Sequence, residues 1–310
     1  MFRHVVHCDW SVRAAGRWSA EAHRGPDGGW RASGPAGVPE PAALVRRLGA
    51  LAADGPTLAA FDFPIGFPAR FGAATGYRDF AAALDAVAAG DWPEIFAVAA
   101  TPAEVGPRRP FYPARPGGTR LAHLLDGHGA ARLADLVREC ERPGPEGGAA
   151  GCMFWTLGAQ QVGKAALHGW REVIGPARRG GAALWPFEGH LAALAQRGGL
   201  VLAESYPGDG YGQLGFAIRR KGDRALRAAL APQIAAWAEE RRVVLDEGLS
   251  AALAAGFPPD AGNDDGFDAA VGLLAALAVV TGERAAAPPL TDATRRWEGW
   301  ILGKRPGLKP

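Results

Sequence analysis

The chain has 310 residues, of which 48% are hydrophobic and 21% charged, a balance that suits a globular protein with a sizeable core. The length corresponds to about two average domains, or one domain carrying a large insertion. Its 34 basic and 32 acidic residues leave a formal charge of +2, which excludes a histone-like polycation and an acidic solvating tail. A local basic patch remains compatible with that sum. Cys8, Cys140 and Cys152 show no metal-ligand spacing and cannot all pair with one another, so a reducing, cytoplasmic compartment is the expectation. Met1 to His7 has no long apolar stretch of the secretory kind. The most apolar run, Ala269 to Val280, is shorter than the roughly 18 residues a membrane span needs, so no membrane association is expected.

In chain order, Arg3 to Trp10 reads as a strand that stops at Asp9. Gly16 to Arg31 reads as two strands joined by a Gly25-Pro26-Asp27-Gly28-Gly29 turn. Pro41 to Ala53 carries Leu44, Leu48 and Leu51 at helical spacing. Thr57 to Asp62 is a short apolar strand, cut off by Pro64. The pattern then turns helical, with helices expected over Tyr77–Ala89, Leu121–Cys140 and Phe154–Ile174, separated by Pro/Gly-rich stretches. Ala182 to Phe187 and Gly199 to Tyr206 read as returning strands, the second with Glu204 and Pro207 at its end. Asp223 to Glu247 reads as helix with a boundary or kink at Pro232. Phe267 to Thr281 is an Ala-rich buried helix with Asp264 and Asp265 at its start. The expected organisation is an α/β core built from residues 1–65 and 182–310, with residues 66–181 as a helical insertion or subdomain.

Four acids stand out by position: Asp9, Asp62 and Glu204 at strand ends, and Asp268 at the mouth of the buried helix. A carboxylate in apolar surroundings is costly unless paired or metal-bound. The carboxyl ends of strands in α/β sheets are where ligand sites gather. Asp264 and Asp268 are i, i+4 and share a helix face. Hard divalent cations take oxygen ligands, usually one or two carboxylates each, so several converging acids would suit a pair of ions. Each acid also has a plain structural use. Asp264 or Asp265 could cap the helix, Asp62 could end a strand before a turn, Glu204 could pair with a buried arginine, and Asp9 could bond a turn through Ser11.

Together these segments resemble a family of predicted RNase H-like nucleases, domain of unknown function 429. The resemblance is carried, in order, by Cys8-Asp9-Trp10-Ser11, Asp62-Phe63-Pro64-Ile65-Gly66, and Glu204-Ser205-Tyr206-Pro207 with Leu214-Gly215. It continues through Asp264-Asp265-Gly266-Phe267-Asp268-Ala269 and Glu298-Gly299-Trp300-Ile301. It implies an RNase H-like mixed sheet flanked by helices, with Asp9, Asp62, Glu204 and Asp268 as catalytic metal ligands. The long helical stretch before Glu204 departs from a minimal core of that kind.

The expected chemistry is phosphodiester hydrolysis by a two-metal hydrolase using Mg²⁺ or Mn²⁺, with ions about 3.5–4 Å apart activating water and stabilising the leaving oxygen. Asp9 would bridge, Asp62 and Glu204 would flank, and Asp268 would complete the set with Asp264 or Asp265. A DNA or RNA substrate needs cations. Arg108, Arg109 and Arg115 are interleaved with Phe111 and Tyr112 as in single-strand binders, in a segment (101–125) of net charge +3, and Lys164 is a second phosphate candidate. The structural alternatives are a solvated loop and a surface or capping lysine. Two other functions fit the same pattern: a phosphotransferase of the actin and sugar-kinase type, and a non-catalytic scaffold binding nucleic acid or protein.

Overall fold

The computed structural model describes residues 1–145, 151–157 and 162–307. Its seven strands are β1 (His4–Asp9), β2 (Trp18–Arg24), β3 (Trp30–Gly37), β4 (Thr57–Phe61), β5 (Ala183–Leu184), β6 (Leu200–Glu204) and β7 (Val243–Leu245). They form one mixed sheet in the order β5-β6-β4-β1-β2-β3-β7. The first three make an antiparallel meander, and every other pairing is parallel, so β2 runs against the rest. Strands β1, β4 and β6 are buried along their whole length, which explains their continuous apolar runs.

The helices are α1 (Pro41–Asp54), α2 (Ala69–Ala74), α3 (Phe80–Ala89), α4 (Leu121–Gly127), α5 (Val162–Gly169), α6 (Gly175–Arg179), α7 (Leu191–Arg197), α8 (Pro207–Gln213), α9 (Arg224–Ala229), α10 (Ala231–Glu240), α11 (Glu247–Ala254) and α12 (Asn263–Val280). Helix α1 begins with Pro41, whose missing N–H is harmless there, and buries Leu44, Leu48 and Leu51. Helix α3 starts where Asp79 accepts the N–H of Ala82.

Helix α12 is buried from Gly266 to Val279 and covers one face of the sheet, against Val5, Ala22, Leu58, Ala60 and Ala203. It lies close to the central strand because Gly272 leaves room for the ring of His7. A Cβ there would stand 2.2 Å from His7 Cε1. His7 Nδ1 is 3.2 Å from the Ala269 carbonyl. The opposite face packs Val6, Cys8, Ala59, Phe61 and Leu202 against α1 and against Phe63, Phe67, Phe80 and Trp170. Residues 66–181 supply helices, short 3-10 turns and loops to that second face. Helix α5 continues through a π-helical turn, Trp170–Ile174, into α6, and the Trp170 indole donates to the Pro64 carbonyl at 2.9 Å.

Several elements differ from the sequence expectation. The helix over Leu121–Cys140 ends at Gly127, and Gly129 then turns at φ 58 into two 3-10 turns. The expected Phe154–Ile174 helix begins only at Val162 among the described residues, and residues 158–161 of that expectation lie outside them. The Ala182–Phe187 strand shortens to Ala183–Leu184. The Asp223–Glu247 helix is two helices, divided before Pro232, and its end is the edge strand β7 beside β3. No helix among the described residues is long and apolar enough to cross a membrane.

Candidate active site at the carboxyl ends of the central strands

Adjacent strands β6, β4 and β1 bring Glu204, Asp62 and Asp9 to one edge of the sheet, but not to one face. Asp9 ends β1 with its side chain in the same alternation as Val5 and His7, toward α12. The Asp62 N–H donates to the Cys8 carbonyl at 3.0 Å, and Asp62 follows Leu58 and Ala60 in facing α12. Glu204 is level with Phe61, one residue short of Asp62, so it leaves through the opposite face. There the Arg138 guanidinium donates to both its oxygens, Nη1 to Oε2 and Nη2 to Oε1, each at 2.6 Å. The Ile65 N–H adds a third hydrogen bond at 2.7 Å. The buried-arginine use of Glu204 is therefore the observed one.

Arg138 is fully buried, and its Nε donates to Glu141 at 2.9 Å while Nη1 also reaches the Glu298 carbonyl at 3.0 Å. The Glu298-Gly299-Trp300-Ile301 segment thus closes over β6. Ile301 bridges Glu204, and the Leu302 N–H donates to the Glu204 carbonyl at 2.9 Å. Gly66 has to be glycine here: its φ is 147, and a Cβ would stand 2.0 Å from the Glu298 carbonyl oxygen. A cavity of about 50 Å³ lies beside this ion network, lined by Asp62, Pro64, Arg138, Glu204, Ser205 and Tyr206 among others. The Ser205 hydroxyl is buried there with no hydrogen-bond partner among the described residues.

On the α12 face, Asp9, Asp62 and Asp268 act on one another electrostatically. Burial, then the charges of Asp62, Asp268 and Asp265, push the Asp9 carboxyl well above the usual range. Burial and then Asp268 push Asp62 up to about 7, against the opposing pull of Lys221 and a hydrogen bond from Asp9. Burial foremost raises Asp268 and Asp265 as well. Asp264 and Asp265 lie in the first turn of α12 behind Gly262, and neither caps the helix. Asp265 Oδ2 sits against Gly16 in the β1–β2 turn, 3.3 Å from where a Cβ would be. Among the described residues, no three His, Cys, Asp or Glu side chains already stand at metal-binding spacing.

The cation paired with Asp268 is Lys221, which sequence reasoning missed. Its ammonium pairs with Asp268, and the Tyr211 hydroxyl donates to the same carboxylate. The neighbouring charges of Asp268, Asp9 and Asp264 raise the Lys221 pKa against the opposing effect of burial. Arg227, itself buried, donates to the Lys221 carbonyl and fixes its loop. One signal was available. The chain carries only Lys164, Lys221, Lys304 and Lys309 among its 34 cations. Lys304 is also spent on a buried aspartate, with Nζ 2.8 Å from Asp209 Oδ2. Where arginine is the default, a retained lysine marks a place that wants a compact point charge.

Two of the expected substrate cations are already paired with acids. Arg108 pairs with Glu94 at 2.9 Å and Arg109 with Glu104 at 3.1 Å, while Arg115 is exposed. Lys164 is half-buried on α5. No family model, curated protein or solved structure matches the chain.

Proposed function

We propose that the chain is a metal-dependent phosphodiesterase of RNase H-like architecture, acting on nucleic acid at the edge formed by Asp9, Asp62 and Asp268. One observation carries this reading: two carboxylates end neighbouring parallel strands on the same face, opposite a third on α12, and burial together with the charge of Asp268 raises the proton affinity of both Asp9 and Asp62. Such a group gains most from a divalent cation, which supplies the positive charge that burial withholds. The meander β1–β2–β3, followed by parallel β4 and β6 on the other side of β1, supports the RNase H-like assignment, as does the ordered series of motifs. Three free, buried cysteines support a cytoplasmic location.

The donor set suits Mg²⁺ or Mn²⁺, held by Asp9, Asp62 and Asp268 with Asp265 or Asp264 behind them. A bound ion would polarise a phosphoryl oxygen and lower the pKa of water. The chain's own residues do the rest. Lys221 neutralises Asp268 and is placed to move onto a phosphate oxygen. Tyr211 orients Asp268. Glu204 and Arg138 fix the Asp62–Gly66 loop from behind, a positioning role in place of a ligand role. Arg115 is exposed, and Arg108 and Arg109 would have to leave Glu94 and Glu104 to meet a substrate strand.

The test is cleavage of single-stranded and duplex DNA and RNA with Mg²⁺ or Mn²⁺ by wild type and Asp9→Asn. The reading requires activity in the wild type and a loss of at least ~100-fold in the variant. Equal activity overturns it. A second reading is favoured by the Lys221–Asp268 pair, namely a non-catalytic scaffold whose acids are neutralised internally. It requires that neither cation raise the melting temperature of the wild type.

A further inference from the structure

The same sheet edge carries a second polar cluster on the face opposite the aspartates. Trp10 follows Asp9, so the strand alternation sends its indole the other way. It packs against Phe61, Phe63 and, 5.7 Å between ring centres, His168 of α5. Arg17, at the end of the β1–β2 turn, lies over the same indole with its Cζ 5.5 Å from the ring centre.

Arg17 is only 5% exposed, yet no carboxylate among the described residues pairs with it. Its Nη2 donates to the Pro39 carbonyl at 2.8 Å, and its Nη1 stands 3.5 Å from His168 Nε2. Three buried polar atoms of the cluster have no hydrogen-bond partner among the described residues: Trp10 Nε1, Arg17 Nε and His168 Nδ1. The first two can only donate. A buried guanidinium without a counter-charge is costly, and a cation–π contact offsets only part of that cost. Unused donors around an unpaired cation call for an acceptor that is itself an anion. Guanidinium matches tetrahedral oxyanions through paired N–H groups. Arg171, exposed on the turn after His168, adds positive charge nearby, and Glu172 opposes it.

We propose that Trp10, Arg17 and His168 form a phosphate-group subsite beside the carboxylate site. The anion site stands on this geometry alone. The choice of phosphate, as a group of the same substrate strand next to the one cleaved, rests on the phosphodiesterase reading.

The experiment is titration of the full chain with inorganic phosphate in chelator, following melting temperature and heat of binding, with chloride and acetate at matched ionic strength. Wild type is expected to gain several degrees in phosphate and none in chloride. Trp10→Phe keeps the ring and loses the donor, and should bind phosphate about 3–10-fold more weakly; Arg17→Met should lose at least ~10-fold. If Arg17→Met fails to fold, Trp10→Phe and His168→Gln decide. No phosphate effect in wild type, an equal effect in the variants, or an equal effect of acetate overturns the proposal. Asp9→Asn separates the two readings: it should keep the phosphate response while losing metal-dependent cleavage. A wild type that binds phosphate but cleaves nothing leaves the subsite standing and sinks the phosphodiesterase reading.

Discussion

Arg138 grips both carboxylate oxygens of Glu204 at 2.6 Å, and neither side chain has meaningful exposure. The pair joins the segment 66–181 to the carboxyl end of β6. Glu141 and the Glu298 carbonyl complete the guanidinium's partners.

Removing one member of such a pair strands the other charge in the core. Glu204→Gln and Arg138→Met are each expected to cost about 3–5 kcal/mol in urea unfolding. If Glu204→Gln folds, it should keep the Mn²⁺-dependent rise in melting temperature, because Glu204 faces away from Asp9 and Asp62. Loss of that rise at unchanged stability would return Glu204 to the ion.

Asp62 gives a pH signature. Burial and the neighbouring Asp268 raise its carboxyl to about 7, so between pH ~4 and ~7 the folded chain holds a proton that the unfolded chain has released. Stability contributed at this position therefore falls as the pH rises through that window. Asp62→Asn removes the loss. In chelator, its stability relative to wild type should climb between pH 4 and pH 7 by about 3–4 kcal/mol, then level off. A difference that is flat with pH would contradict the raised pKa. Divalent cation should shrink the difference at pH 8 by stabilising wild type alone.

His7 works in the other direction. Burial holds it neutral, with its pKa lowered to about 3. The unfolded chain takes up a proton below pH ~6.5 that the folded chain refuses, so this contribution to stability is lost as the pH falls from ~6.5 toward 3. His7→Phe should flatten that acid limb of the stability curve.

Gly272 sets how closely α12 approaches β1. Gly272→Ala puts a methyl against the His7 ring and should cost about 1–3 kcal/mol by thermal or urea unfolding. Because α12 carries Asp268, the same variant should weaken Mn²⁺ binding. A stable Gly272→Ala chain with unaltered Mn²⁺ binding would show that the helix has room to shift.

The sequence revealed strand ends better than strand faces. Asp9, Asp62 and Asp268 were legible because each interrupts an apolar run at a boundary. The face of Glu204 was not, since it depends on the pairing of Glu204 with Phe61, a one-residue offset that exists only in the assembled sheet. Lys221 was hidden for a similar reason: it reaches Asp268 from a loop 47 positions away. Strand β7 was read as the tail of a helix, because three residues show no period and only β3 makes them a strand. The 121–140 helix failed on local grounds, at Gly127 and Gly129. The arginines at 108 and 109 were read as free cations, whereas Glu94 and Glu104 partner them across turns.

The central claim is that the aspartates of β1, β4 and α12 hold a divalent cation. The most direct measurement is a crystal structure of the full chain soaked in Mn²⁺, read by anomalous scattering. The expected result is one or two Mn²⁺ peaks within coordination distance (about 2.0–2.4 Å) of Asp9, Asp62 and Asp268 oxygens, with the Lys221 ammonium withdrawn from Asp268. Mn²⁺ absent from these carboxylates, with Lys221 still paired to Asp268, would contradict it.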